Sequence, residues 1–245
     1  MDFHCHLDLY PNAREVYREA CLRNTFTWLV TTSPKAFEAT SRVLGASPKV
    51  LITPGLHPEV AQQKVGELDL LLEQMAGVKA VGEVGIDGSS RHRASFELQC
   101  SIFRAVVERS KSLGGRTLSI HSRQAVNEVL NELHCQPGYG TAVLHWFTGT
   151  ATELRTADRM GCWFSVGPAM FTSGNGRAIA ARLPRNRVVP ESDGPFAKID
   201  GKSVLPWSAE RTAKCLADVW LVPLDEAQKL LADNSLRLLN LMEVC

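Results

Sequence analysis

Short apolar runs alternate with helix-patterned segments along the whole chain, and a histidine or a carboxylate closes run after run. His4-Cys5-His6 follows Met1-Asp2-Phe3, and Glu83 follows the run that begins Val78-Lys79-Ala80-Val81. His121 follows Thr117-Leu118-Ser119-Ile120, His145 follows Thr141-Ala142-Val143-Leu144, and Asp193 lies just past Val188-Val189-Pro190. Each stands where a short buried strand would end. Strand ends of a barrel share one rim, so residues distant in sequence can meet there around a metal.

The strand-like runs lie near 1–6, 25–31, 49–54, 78–83, 117–121, 141–146, 161–166 and 187–191. Helical spacing separates them. Pro11–Arg23 has apolar residues at 13, 16, 17 and 20, and Gly66–Met75 carries Leu68, Leu71, Leu72 and Met75 on one face. Pro34–Leu44 forms the next helix, with Ser33 as N-cap and Pro34 at its first position. Residues 93–113, 122–134, 150–160 and 173–183 continue the pattern, and helices over 206–219 and 224–241 close the chain. Eight strands, each followed by helix, read as one α/β domain spanning 1–245, a closed (β/α)8 TIM barrel. An open doubly wound sheet would advertise a glycine-rich phosphate loop after its first strand, and none follows here. Residues 194–206 form the longest loop.

At 245 residues the chain suits one such barrel. A formal charge of +1 excludes a generally basic surface for nucleic acid, so attraction for phosphate must be local. Seven cysteines, an odd number without regular spacing, make no disulfide framework. Cys5, Cys100 and Cys162 read as buried thiols. No basic stretch followed by an apolar one marks a signal peptide, and no apolar run approaches the ~20 residues that span a bilayer. The expected setting is reducing and cytoplasmic, away from membranes.

Taken singly, the candidate groups are modest. His4 and His6 are two apart on a strand, so both imidazoles face one side and Cys5 the other. A lone His-x-His is common by chance. Glu83 lies between Gly82 and Gly85, which leave its carboxylate room to reach inward. Alone it would read equally as a loop acid. His121 and His145 would alone read as satisfied core histidines, and Asp193, before Gly194-Pro195, as a turn aspartate. All of them at the same ends of different strands is hard to reconcile with those bland readings.

The segments Asp2-Phe3-His4-Cys5-His6-Leu7-Asp8, Gly55-Leu56-His57-Pro58, Gly82-Glu83-Val84-Gly85-Ile86-Asp87, Ile120-His121-Ser122-Arg123, Leu144-His145-Trp146-Phe147-Thr148-Gly149 and Glu191-Ser192-Asp193-Gly194-Pro195 occur in this order from first strand to last. In them the chain resembles the TatD family of metal-dependent deoxyribonucleases, within the amidohydrolase-like barrels. Asn234 resembles an asparagine of that family's last helix. The resemblance implies a binuclear centre. His4, His6, Glu83 and Asp193 would hold one ion, and Glu83, His121 and His145 the other, with Glu83 bridging. Ser192 stands where the family commonly has threonine, which keeps the hydroxyl. The chain is somewhat short for the family. Its compact form resembles the TatD-like component of bacterial anti-phage (Qat) operons that also encode a QueC-like protein, which implies defence partner proteins and phage nucleic acid.

Mixed imidazole and carboxylate donors suit Zn²⁺, Mn²⁺ or Mg²⁺. Two such ions can activate water against a phosphodiester, with Asp193 and Glu83 as the catalytic carboxylates and Asp193 as base. The expected substrate is DNA, cut from single-stranded ends. His57 and Arg123 are candidate donors to the phosphoryl oxygens. His57 reads equally as a capping histidine, whereas for Arg123 phosphate contact is preferred to a solvated helix start. Trp146 could stack on a base, although packing under the rim is the reading taken. Lys198 and Lys202 read as plain surface residues. Gly88–Arg93, without the aromatics often found there in the family, reads as a solvated loop before a basic phosphate contact. Two other functions stay open. The same centre could hydrolyse a small ester, amide or modified nucleotide, or the barrel could be a non-catalytic assembly subunit.

Overall fold

Parallel strands with apolar, β-branched centres form the inner wall of the protein, and helices cover its outside. A computed structural model describes residues 1–243. Strands β1 (Asp2–Cys5), β2 (Thr27–Val30) and β3 (Val50–Thr53) pair in that order. Strands β4 (Ala80–Gly85), β5 (Arg116–His121), β6 (Gly140–His145), β7 (Trp163–Val166) and β8 (Val188–Pro190) pair in sequence order as a second parallel group. Two seams join the groups. At one, Gly82 N–H donates to Pro54 O at 2.9 Å. At the other, Asp193 N–H donates to His4 O at 2.9 Å, and Asp2 accepts from Ser192 N–H at 3.0 Å and Ser192 Oγ at 2.6 Å. The result is the expected (β/α)8 barrel.

The helices are α1 (Ala13–Arg23), α2 (Pro34–Leu44), α3 (Ala61–Lys64), α4 (Leu68–Gln74), α5 (Phe96–Ser112), α6 (Val126–Cys135), α7 (Ala151–Arg159), α8 (Gly174–Ala180), α9 (Ala209–Trp220) and α10 (Leu224–Met242). Ser33 caps α2 by accepting from Ala36 N–H, as its sequence position predicts. Residues 194–206 are more ordered than a plain loop: Lys198–Ile199 (β9) and Lys202–Ser203 (β10) pair as a small antiparallel hairpin.

The period-two alternation of the strands divides the core. Leu118 and Ile120 of β5, Ala142 and Leu144 of β6, and Phe164 and Val166 of β7 pack outward against α5 and α6 residues such as Phe103, Val107 and Val129. Phe3, Trp28, Val143, Trp163 and Val189 meet inside the barrel, closed below by Leu238, Leu239 and Met242 of α10. Cys5 and Cys162 are buried as expected, whereas Cys100 on α5 is only half-buried.

Candidate metal centre

The inward face that carries Val143 in β6 carries His145 two residues on. The same parity brings Ser119 and His121 inward from β5, and Ser165 from β7. Two bulges complete the rim. Between Asp2 and Cys5, β1 uses three steps where β2 uses two, and between Val81 and Val84, β4 uses three where β5 uses two. An extra residue re-aims side chains locally, and here the re-aimed ones include His4 and Glu83. Gly85 permits the second of these. A Cβ there would sit 2.0 Å from His121 O. The glycines flanking Glu83 therefore serve close approach between strands.

Glu83, only 1% exposed, is the hub. Its Oε2 lies 3.4 Å from His4 Nε2, 3.0 Å from His6 Nε2 and 3.2 Å from His57 Nε2. Its Oε1 lies 2.9 Å from His121 Nδ1 and 3.3 Å from His145 Nε2. Asp193 Oδ1 faces the first side, 3.7 Å from His4 Nε2 and 3.9 Å from His6 Nε2. The rings of His4 and His145 stack at 3.9 Å. The structure thus brings together all six residues of the expected ligand set, and His57 with them.

A layer of buried polar groups holds the rings. Ser119 Oγ is 2.7 Å from His4 Nδ1, Asp87 Oδ2 is 2.8 Å from His121 Nε2, and Glu191 Oε2 is 3.4 Å from His145 Nδ1. Asp87 and Glu191 lie inside the sequence motifs but were not singled out. Outer carboxylates of this kind fix the orientation and tautomer of ligating imidazoles.

The charges follow from crowding. Burial opposes the Glu83 carboxylate, but His57, His145, His4 and His121 outweigh it and hold its pKa well below the usual range. Burial pushes Asp193 up to about 7 against the pull of His145 and His6. Burial and the neighbouring His145 lower His4 to about 3. Burial works against charge on His121 as well, yet its bonds to Asp87 and Glu83 raise it to about 8. His145 is raised well above its ordinary value, because Glu83 and Glu191 outweigh its burial.

This donor set fits a cation. His4 Nε2 is fully buried, has no hydrogen-bond partner and points at two carboxylates. Such an atom is costly unless something electron-poor meets it. Three groups have donor atoms close enough to share an ion: His4, His6 and Glu83; His4, His145 and Asp193; and His57, Glu83 and His121. His57 differs in one respect. Its Nδ1 accepts from Glu59 N–H at 3.1 Å, so its proton sits on Nε2. In that tautomer it is a donor toward the site rather than a ligand. The capping reading of His57 is realised, and the same residue lines the cavity.

The cluster floors a cavity of about 870 Å³, whose walls include Arg123, Trp146, Arg91 and Phe196. Arg123 reaches it from the end of β5. Trp146 packs against Ala169, Ala197 and Val204, as its preferred reading had it, and also lines the cavity. Lys198 and Lys202 are exposed on the β9–β10 hairpin and do not line it. Phe196 is a lining residue that sequence reasoning missed, and Arg91 comes from the Gly88–Arg93 loop, weighed there as solvated or as a basic phosphate contact.

Comparison with known proteins agrees with the geometry. The profile of the family described as TatD related DNase matches residues 1–240. The human protein named Deoxyribonuclease TATDN3 is 28% identical over 261 aligned positions, which cover 97% of this chain and 93% of that protein. A protein of Erwinia tasmaniensis named 3'-5' ssDNA/RNA exonuclease TatD is 28% identical over 59% of this chain and 58% of its own length. The crystal structure of YjjV, a TatD homologue from Escherichia coli, superposes with a TM-score of 0.84 at 22% identity, covering 96% of this chain and 95% of that one.

Proposed function

The chain belongs to the TatD related DNase family and is a metal-dependent hydrolase, and from this we propose that its rim cluster holds two divalent ions and cleaves phosphodiesters at single-stranded DNA ends. The observation that carries the reading is the division of Glu83: one oxygen serves His4, His6 and His57, the other His121 and His145. A carboxylate shared in this way suits a bridge. His4, His6, Glu83 and Asp193 would hold one ion, and Glu83, His121 and His145 the other. Zn²⁺ or Mn²⁺ suits the imidazole-rich set better than Mg²⁺. Bound there, the ions would polarise the phosphodiester and acidify a water.

The side chains supply the remainder. Asp193, whose pKa lies near neutrality through burial, takes the proton of the attacking water. His57, with its proton on Nε2, donates to a phosphoryl oxygen. The Arg123 guanidinium, on the cavity wall, supplies positive charge to the substrate's phosphate backbone. Asp87 and Glu191 keep the rings of His121 and His145 aimed. No helix among the described residues is long and apolar enough to cross a membrane. The described cysteines are all free, which supports a reducing, cytoplasmic setting.

The test is metal analysis beside hydrolysis of end-labelled single-stranded DNA with Mn²⁺, Mg²⁺ or Zn²⁺. The expected results are about two ions per chain and release of nucleotides, abolished by chelation, by Glu83→Ala and by Asp193→Asn. Undiminished cleavage in both variants, or an ion-free and inert protein, would refute the reading. The cavity volume also lies in the range of small-ligand pockets. Hydrolysis of a small ester, amide or modified nucleotide is therefore the second reading, separated by turnover of such a panel without DNA cleavage. A place in anti-phage defence rests on sequence likeness alone. The same Glu83→Ala variant, scored for loss of phage protection in cells, tests it.

A further inference from the structure

Two guanidinium groups share the cavity with the metal-site cluster. Arg91 and Arg123 are exposed and line the cavity. Among the described residues neither side chain has a hydrogen-bond or ion-pair partner. Arg23, Arg104 and Arg187, by contrast, pair with Glu19, Glu132 and Asp158. Glu59 also lines the cavity, but its carboxylate faces His92 Nε2 at 3.5 Å and leaves both arginines unneutralised.

The two arginines are held in register by backbone. Gly88 N–H donates to Arg123 O at 2.8 Å, and Ile86 N–H to His121 O at 3.0 Å. A Cβ at Gly88 would sit 2.2 Å from Gln124 O, so any larger residue there would push the two loops apart. Arg91 itself rides on the 3-10 turn Ser90–Ser95. Gln99 pins that turn: its Oε1 accepts from Asp87 N–H at 2.7 Å, and its Nε2 donates to His92 O at 3.3 Å and Ser95 Oγ at 2.9 Å. The turn is therefore anchored to the same aspartate that orients His121. The segment Gly88–Arg93 is largely solvent-facing, as read from sequence, with Ser90, Arg91 and Arg93 exposed, and Arg91 from it also lines the cavity. Leu9 and Phe196, 42% and 58% exposed, also line the cavity and offer it apolar surface suited to a base.

We propose that Arg91 and Arg123 form a second phosphate subsite, which takes the backbone phosphate adjacent to the one at the metal centre. Unneutralised guanidinium forks lining one cavity match phosphate oxygens, and in a protein of near-zero net charge they make the attraction local. The proposal deepens the nuclease reading and rests on it: the substrate is a strand end or nucleotide with at least two phosphates. Arg91 would set specificity.

Binding to the metal-loaded protein tests it, with thymidine 3',5'-bisphosphate and thymidine 5'-monophosphate as probes. Wild type should bind the bisphosphate on the order of ten-fold more tightly, the scale of a charge-assisted bond. Arg91→Ala should lose that advantage, and Arg91→Lys should recover part of it. Equal binding of the two probes by wild type, or an advantage intact in Arg91→Ala, would overturn the subsite. Melting curves confirm that each variant is folded, and Arg91→Gln serves as a second neutral variant. Oligonucleotide cleavage is scored on the same preparations. Cleavage without bisphosphate preference sinks the subsite alone. Preference without cleavage supports the subsite and sinks the nuclease reading.

Discussion

Asp87→Asn should damage the metal site more than its size suggests. Asp87 is completely buried, and its two oxygens do different things. Oδ2 meets His121 Nε2 at 2.8 Å, and Oδ1 accepts Ser89 N–H at 2.8 Å. Both partners are donors, so the carboxylate fixes the His121 proton on Nε2 and frees Nδ1 toward Glu83, 2.9 Å away. An amide of the same shape can satisfy only one of them. With its NH₂ toward His121 it forces the proton onto Nδ1, where no lone pair remains for an ion. With its oxygen toward His121 it sets NH₂ against Ser89 N–H and leaves a buried donor unmet, at a cost of about 1–3 kcal/mol. The competent arrangement is disfavoured by that amount, or roughly 10–100-fold in metal affinity and in kcat/KM.

Asp87→Ala removes more atoms but dictates no tautomer, and water can enter to meet Nε2–H. Its loss should be smaller than that of the amide. Chelator competition with Zn²⁺ or Mn²⁺, kcat/KM on labelled DNA, and nitrogen NMR of the His121 ring read the affinity, the rate and the tautomer. A Asp87→Asn protein with wild-type affinity, rate and His121 tautomer would refute the argument.

Two further outcomes follow from the same geometry. Asp2→Ala should cost roughly 3 kcal/mol in urea unfolding, because it strands Ser192 N–H, Ser192 Oγ and His4 N–H at the β8–β1 seam, while Asp2→Asn, which still accepts, should cost less than half as much. The metal-free protein should lose stability as pH rises from 6.5 to about 8. His121 is raised to about 8 and His145 well above its ordinary value, so both bind protons more tightly folded than unfolded, a contribution full below 6.5 and lost above. His121 alone accounts for about 2 kcal/mol. Added Zn²⁺ should restore most of the loss at pH 8, since ion and proton compete for the same nitrogens. Unfolding midpoints of chelator-treated protein that stay flat or rise over this window would contradict it.

The fold was legible because its signal is repeated. Eight runs with an outward-facing apolar alternate, such as Leu118 and Ile120 or Ala142 and Leu144, say "parallel strand" eight times, and helical spacing intervenes each time. Helix α2 was readable to the residue, since Ser33 and Pro34 carry its cap chemistry. The β9–β10 hairpin was not. Its strands are two residues each, too short for any alternation to register.

The site divides along the same line. His121 and His145 were legible by parity, each two residues beyond an inward-facing position. Parity would also have found Glu191, two beyond the inward Val189, had it been carried past the end of the strand. His4 and Glu83 were found for a reason that is only partly right. Strict alternation would send Phe3 and His4 to opposite faces, yet both turn into the barrel. The bulge between Asp2 and Cys5 makes that possible. A bulge has no composition of its own here and shows only in the pairing register. Arg91 lies in a loop whose sequence reads as solvated before it reads as basic, and it is indeed exposed. What sets it at the cavity is the closeness of Gly88 to Gln124 and the reach of Gln99 across the turn, both contacts between segments that no single-strand pattern encodes. The His121 and His145 part of the cluster is thus written in the strand period, and the His4 and Glu83 part in the bulges that interrupt it. The proposed phosphate subsite is written in hydrogen bonds between neighbouring loops, which can vary without disturbing the cluster.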